Sequence, residues 1–249
     1  MELRELRGLA RSVSMYYAHP LRSRAHLAFY RQFMQPGDLC FDVGAHVGNH
    51  VRTMLKLGAR VVAVEPQPNF QAMLRRLYGG NPNFTLIDQA LADTPGEAEL
   101  FVSSRTPTVT TLSRDWMKAV KQADSFDIVS WDQKITVPVT TLDALIAEHG
   151  LPAYCKIDVE GFEHTVLSSL SAAVPSLSFE YIPAAVQVAH DCLDRLVSLG
   201  DYSFNVSIGE QMRFELPDWS DASVLHAWLD RLDVNENSGD VYCRLQPPA

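Results

Sequence analysis

Residues 39 to 67 read LCFDVGAHVGNHVRTMLKLGARVVAVEPQ, and this stretch restricts the fold more than any other. A short apolar run ends at Gly44, a helix-length segment follows over 48–57, Gly58 stops it, and a second apolar run begins at Arg60. Apolar runs without polar alternation read as strands covered on both faces. Two such strands joined by one helix form a parallel βαβ unit, because parallel neighbours need a long crossover. The right-handed crossover sets that helix against one face of the sheet.

The rhythm continues along the chain. A helix is expected over 68–77, a third strand in FTLIDQALA at 84–92, and a strand EAELFVS after a Pro95-Gly96 turn. Then come TTLDALIAEHG as helix, AYCKIDV as strand, FEHTVLSSL as helix and SLSFEYI as strand. A helix over 184–199 packs through Val186, Ala189, Leu193, Leu196 and Val197. SFNVSI and DVYCRL read as terminal strands around a helix near 221–231, placed to close one sheet edge antiparallel. The expected architecture is α/β, an open, doubly wound, mostly parallel sheet. Residues 103–137 break the rhythm and read as a long surface excursion with one short helix, the kind of segment that covers a site. Trp116 and Trp131 within it are expected to anchor it to the domain rather than stack on a ligand.

Residues 1–37 stand apart as a helical extension ahead of a main domain over 38–249, either a solvated amphipathic helix packed on that domain or a lid or docking surface for an anionic substrate. Through residue 38 six arginines face Glu2, Glu5 and Asp38, so this part carries +3 and the rest −12 of the total −9. Leu3, Leu6, Ala10, Val13 and Tyr17 recur at helical spacing up to the break at His19-Pro20, and a second helical stretch runs to about Met34. An acidic chain is ill suited to duplex nucleic acid, which demands clustered Lys and Arg. No apolar run reaches the length of a membrane span, and the charged first residues do not read as a secretory signal. The four cysteines, Cys40, Cys155, Cys192 and Cys243, are scattered without metal or redox spacing. Buried, reduced thiols in a cytoplasmic protein are expected.

The chemistry concentrates at strand ends. Glycines 44 and 48 stand where the first strand turns into a helix, a place where a ligand meets bare backbone and free helix N–H groups. The dinucleotide fingerprint needs glycines at 46 and 49, where this chain has His46 and Asn49. Asp42 beside the turn would repel a pyrophosphate but suits the ammonium and sulfonium of S-adenosyl-L-methionine. Glu65, ending the second strand, is placed to accept hydrogen bonds from ribose hydroxyls. Asp88 and Gln89 at the third strand end are candidates for adenine, with Pro66 and Ala90 flanking its faces.

At this point the sequence resembles the FkbM-type methyltransferases of the class I S-adenosylmethionine-dependent enzymes. The resemblance rests on FDVGAHVGNHV at 41–51, VVAVEPQP at 61–68, KIDVEGFE at 156–163 and NSGDVYCRL at 237–245. It implies a seven-stranded Rossmann-like sheet and methyl transfer to a hydroxyl oxygen of a small molecule, sugar or glycolipid. It also implies cofactor contacts at Asp42, Gly44, Ala45, Gly48, Glu65 and Asp88, with His46 in the same loop. The family commonly shows Asn where His46 stands and a small hydroxyl residue near His50.

Methyl transfer asks the protein to align three atoms and to manage the acceptor proton. Asp158, a carboxylate after an apolar strand, is the expected base or hydroxyl orienter. Glu160 and Glu163 are candidates to shape the substrate site, with helix N-terminal capping as the competing role for both. Glu180 is a further acid on the substrate side. Asp158, Glu160 and Glu163 are hard ligands that would suit magnesium, and His46 with His50 has an i, i+4 zinc-like spacing, but neither set completes a recognisable site, so no metal is expected. A nicotinamide-dependent oxidoreductase and a non-catalytic cofactor-binding module are the competing functions.

Overall fold

The computed structural model describes residues 20–247. The amphipathic stretch over 3–17 therefore lies outside the described residues. Helix α1 (Pro20–Tyr30) leads to β1 (Leu39–Val43), α2 (Asn49–Lys56), β2 (Arg60–Val64), α3 (Pro68–Tyr78) and β3 (Phe84–Ile87). After an inserted segment come α5 (Leu142–His149), β7 (Tyr154–Ile157), α6 (Glu163–Ser168), β8 (Ser176–Tyr181) and α7 (Val186–Leu199). The chain closes with β9 (Tyr202–Ile208), α8 (Ala222–Leu229) and β10 (Gly239–Leu245).

These strands form one seven-stranded sheet in the order β3-β2-β1-β7-β8-β10-β9. The first five neighbours run parallel, and β10 lies antiparallel between β8 and β9. This is the doubly wound, Rossmann-like arrangement expected from the alternating pattern. Strand order reverses between β1 and β7, and there a crevice opens at the carboxyl ends of the strands. Because β10 is antiparallel, its first residues reach the same rim.

Strand alternation divides the core. Leu39, Phe41 and Val43 pack with β7, β8, α5, α6 and α7 on one face. Cys40, Ala63, Tyr154 and Tyr242 pack on the other with Phe29, Tyr30, Phe33 and Met34. The segment around α1 is thus built into the second core layer, with Tyr30 edge-on to Tyr154 and Phe33 stacked on Tyr242. Each such buried aromatic contributes roughly 1.5–3 kcal/mol. All four cysteines are free and buried.

The region between β3 and β7 departs from the sequence expectation. The run at 84–92 is not one strand: it ends at Ile87, and Ala90–Leu91 (β4) belongs to a second sheet with β5 (Gly96–Val102) and β6 (Gln133–Thr140), ordered β4-β6-β5. The excursion is correspondingly shorter than expected, since its last residues form β6. Pro138 and alternating exposure disguise that strand. Between β5 and β6 the chain carries α4 (Arg114–Ala119) and 3-10 turns at 107–109, 120–122 and 124–126. This small sheet and its loop stand over the crevice.

Candidate active site

The turn after β1 is built from three left-handed residues, Gly44 (φ 83°), His46 (φ 48°) and Gly48 (φ 79°). The amides of Gly44 and Ala45 both donate to the Val64 carbonyl at 3.0 Å, tying the turn to the end of β2. Gly44 has no room for a side chain, since a Cβ would lie 1.8 Å from the Asp158 carbonyl oxygen. Glu65 follows β2, only 2% exposed, and its two oxygens accept the amides of His46 and Gln67 at 2.8 Å each. Burial pushes Glu65 up to about 7 against the lowering effect of those amides.

Beside this turn lies a cavity of about 250 Å³. Of the residues expected to hold a cofactor, Gly44, His46, Glu65, Pro66 and Ala90 line it. The others do not. Asp42 shares a face with Cys40, is 1% exposed, and takes the backbone N–H of Val51 in the first turn of α2. It supports the turn from beneath, and burial raises it to about 7. Ala45 packs in the core, and Gly48 is closed off by the side chains of Leu74 and Tyr78. Asp88 faces solvent and accepts from Arg75 at 2.9 Å, while Gln89 lies outside the cavity wall.

Across the cavity, at the ends of β7 and β8, stand Asp158, Glu160 and Glu180, with one carboxylate oxygen from each all within 4.8 Å of one another. Burial first, and the neighbouring carboxylates second, push Glu160 and Glu180 well above the usual carboxylate range. Among the described residues no other group of three or more His, Cys, Asp or Glu side chains converges in this way. His46 and His50 are not a helical pair, because His46 belongs to the turn and α2 begins at Asn49. Burial pulls His46 down to about 4 and His50 well below its usual value, so both are neutral at neutral pH.

Glu163 is not on the cavity wall. Its Oε1 accepts the amides of Val159 and Gly161 at 2.9 and 3.2 Å, so it fixes the loop that presents Asp158 and Glu160. Burial raises it to about 7. It braces the loop ahead of α6 and does not cap the helix, whose N-cap residue, Phe162, has no side-chain cap hydrogen bond.

Two groups escaped the sequence reading. Lys156, 2% exposed inside β7, reaches Asp158 and Asp240 at 3.1 Å each. A lone lysine inside an apolar strand was the available signal, since a buried charge needs a partner. Glu210 lines the far wall and meets His26 of α1 at 3.0 Å, while Tyr30 of α1 meets His50 at 3.0 Å. The roof comes from the small sheet and its loop, through Leu100, Thr108, Thr110, Thr111 and Leu112. Trp116 packs edge-on to Trp131, and Trp131 Nε1 donates to the Val109 carbonyl at 2.8 Å. Neither ring lines the cavity, so both anchor the roof.

A family model described as the methyltransferase FkbM domain matches residues 42–204. No curated protein matches the chain. Among solved structures the chain is similar to precorrin-6y C5,15-methyltransferase from Geobacter metallireducens, at 11% identity, over 90% of this chain and 87% of that one, with a TM-score of 0.43. It is similar also to an rRNA methylase from Streptococcus thermophilus, at 13% identity, over 88% and 94%, with a TM-score of 0.40.

Proposed function

The chain belongs to the FkbM methyltransferase family, and from that premise we propose that it methylates a hydroxyl oxygen of a small molecule, sugar or lipid-linked glycan with S-adenosyl-L-methionine as donor. One observation carries the reading: a single cavity has the glycine turn and Glu65 on one wall and Asp158, Glu160 and Glu180 on the other. The donor set fits the cofactor. Glu65 offers a buried carboxylate to ribose hydroxyls, Pro66 and Ala90 offer apolar surface, and Asp158 offers a carboxylate to a cation. When bound, the cofactor supplies a methyl group already made electrophilic by its sulfonium.

The protein's own work is then alignment and proton handling. Asp158 orients the acceptor hydroxyl and takes its proton as the oxygen gains the methyl. Glu160 and Glu180, whose burial favours the protonated form, donate hydrogen bonds to neighbouring acceptor hydroxyls. The roof residues Thr108 to Leu112 exclude water. Helix α1 supports this wall from behind, through His26 at Glu210 and Tyr30 at His50.

Lys156 is the one Lys or Arg on the wall among the described residues, which disfavours polyanionic acceptors such as nucleic acid. Its fixed ammonium beside Asp158 favours a metal-independent reaction. No helix among the described residues is long and apolar enough to cross a membrane, and four reduced thiols suit the cytoplasm.

Titration calorimetry with S-adenosyl-L-methionine tests the reading. Micromolar binding that Glu65→Ala weakens at least about tenfold is expected. A protein that shows no heat at high micromolar donor would overturn it. Turnover of hydroxylated acceptors that survives a chelator is the expected companion result.

A further inference from the structure

The sequence motif around GDVY at 239–242 has no role in the function proposed above, yet its acid reaches the cavity. Strand β10 begins at the rim because it runs against β8, with Asp240 in register with Glu180 and Tyr242 with Ser178. Lys156 is in register with Ser178 on the other side. The small Ser178 side chain, engaged with Tyr154 at 2.6 Å, leaves a path across β8, and Lys156 Nζ takes it to Asp240 Oδ1 at 3.1 Å. The same ammonium donates to Asp158 Oδ2 at 3.1 Å. Burial alone would discharge this lysine, but Asp158 and Asp240 together outweigh that and hold it charged.

We propose that Lys156 and Asp240 are positioning residues that act through Asp158. Asp240 draws the ammonium away from exclusive pairing with Asp158, so one Asp158 oxygen is clamped and the other is left to the donor and acceptor. Two carboxylates share one ammonium, and removal of Asp240 leaves Lys156 paired with Asp158 alone. This inference rests on the reading that Asp158 stands beside the reacting methyl. There the donor is a sulfonium and the product, S-adenosylhomocysteine, is an uncharged thioether. An aimed Asp158 carboxylate therefore prefers donor to product, whereas a structural loss weakens both alike.

The test is the ratio of dissociation constants for S-adenosylhomocysteine and S-adenosyl-L-methionine, measured by calorimetry on full-length wild type, Asp158→Asn, Asp240→Asn and the double variant. Thermal melts establish that each variant is folded, and Lys156→Gln serves as the second route to the same network. Asp158→Asn and Asp240→Asn are each expected to lower the preference for donor by at least about fivefold. The double variant is expected to be no worse than Asp158→Asn alone. A normal ratio in folded Asp240→Asn, or losses that add in the double variant, would overturn the positioning role while leaving Asp158 in place. A normal ratio in Asp158→Asn, or no donor binding by wild type, would remove the placement of Asp158 and the inference with it.

Discussion

Gly44 and Asp158 meet through backbone alone: the amide of Asp158 donates to Val43 at 2.9 Å, and a Cβ on Gly44 would stand 1.8 Å from the Asp158 carbonyl oxygen. The loop that faces the cofactor and the strand end that carries the proposed base are therefore one rigid seam across the point of strand reversal. Gly44→Ala should lose more than about 3 kcal/mol, because strain at φ 83° adds to a clash with backbone that cannot move aside. Gly48→Ala is the control. Its added carbon meets the side-chain ends of Leu74 and Tyr78 at 2.7 and 2.8 Å, which can yield, so its loss should be smaller. Urea unfolding of the two variants orders them, and equal losses would show that the seam is not what constrains Gly44.

Glu65 and Asp88 looked equivalent in the sequence, both being acids at strand ends, but only Glu65 is on the cavity wall. Asp88→Ala should leave donor affinity within about twofold, since it breaks only a surface pair with Arg75. Glu65→Ala should weaken donor affinity at least tenfold, about 1.4 kcal/mol or more. Parallel calorimetry of the two variants is decisive, and a comparable loss in Asp88→Ala would place adenine contacts outside the cavity described here.

The contrast shows what the sequence could reveal. Strands β1, β2, β7 and β8 were legible because burial on both faces removes polar alternation. Strand β6 was hidden by Pro138 and by polar residues at its other exposed positions, Lys134 and Thr136, and β4 by its two-residue length. Asp42 was misplaced because side chains alternate along a strand: it shares a face with Cys40 and lies under α2, not in the cavity. Lys156 and Asp240 were invisible as a pair because they are 84 positions apart and meet only when β10 inserts antiparallel beside β8.

The roof is pinned at Gly161, whose φ of 84° brings it against the Trp116 ring, 2.0 Å from where a Cβ would be. Thr111 adds a hydrogen bond to the Glu160 carbonyl at 2.7 Å. Gly161→Ala should displace the indole and open the roof. Proteolysis between residues 103 and 132 should then accelerate, and donor affinity should fall because roof residues line the cavity. Adding Trp116→Ala should restore part of the affinity by removing the clash. A Gly161→Ala protein as protease-resistant as wild type would mean that the roof is held elsewhere.

Glu163 gives the pH prediction. Burial lifts its carboxyl from 4.5 to about 7 in the folded chain. The folded state therefore binds this proton more tightly than the unfolded state, and the stability it contributes is fully present below 4.5 and lost as pH rises through 7. Glu163→Gln keeps an oxygen for the Val159 and Gly161 amides and cannot ionise. Relative to wild type, its stability should climb between pH 4.5 and 7 and level off above, by at most about 3 kcal/mol. Asp42 and Glu65 are raised in the same direction, so the variant should retain a falling slope of its own while the difference between the two proteins isolates Glu163. Paired thermal melts across that range measure this difference. A gap that stays constant with pH would mean that Glu163 does not titrate within it, and a gap that narrows as pH rises would reverse the sign assigned to its burial.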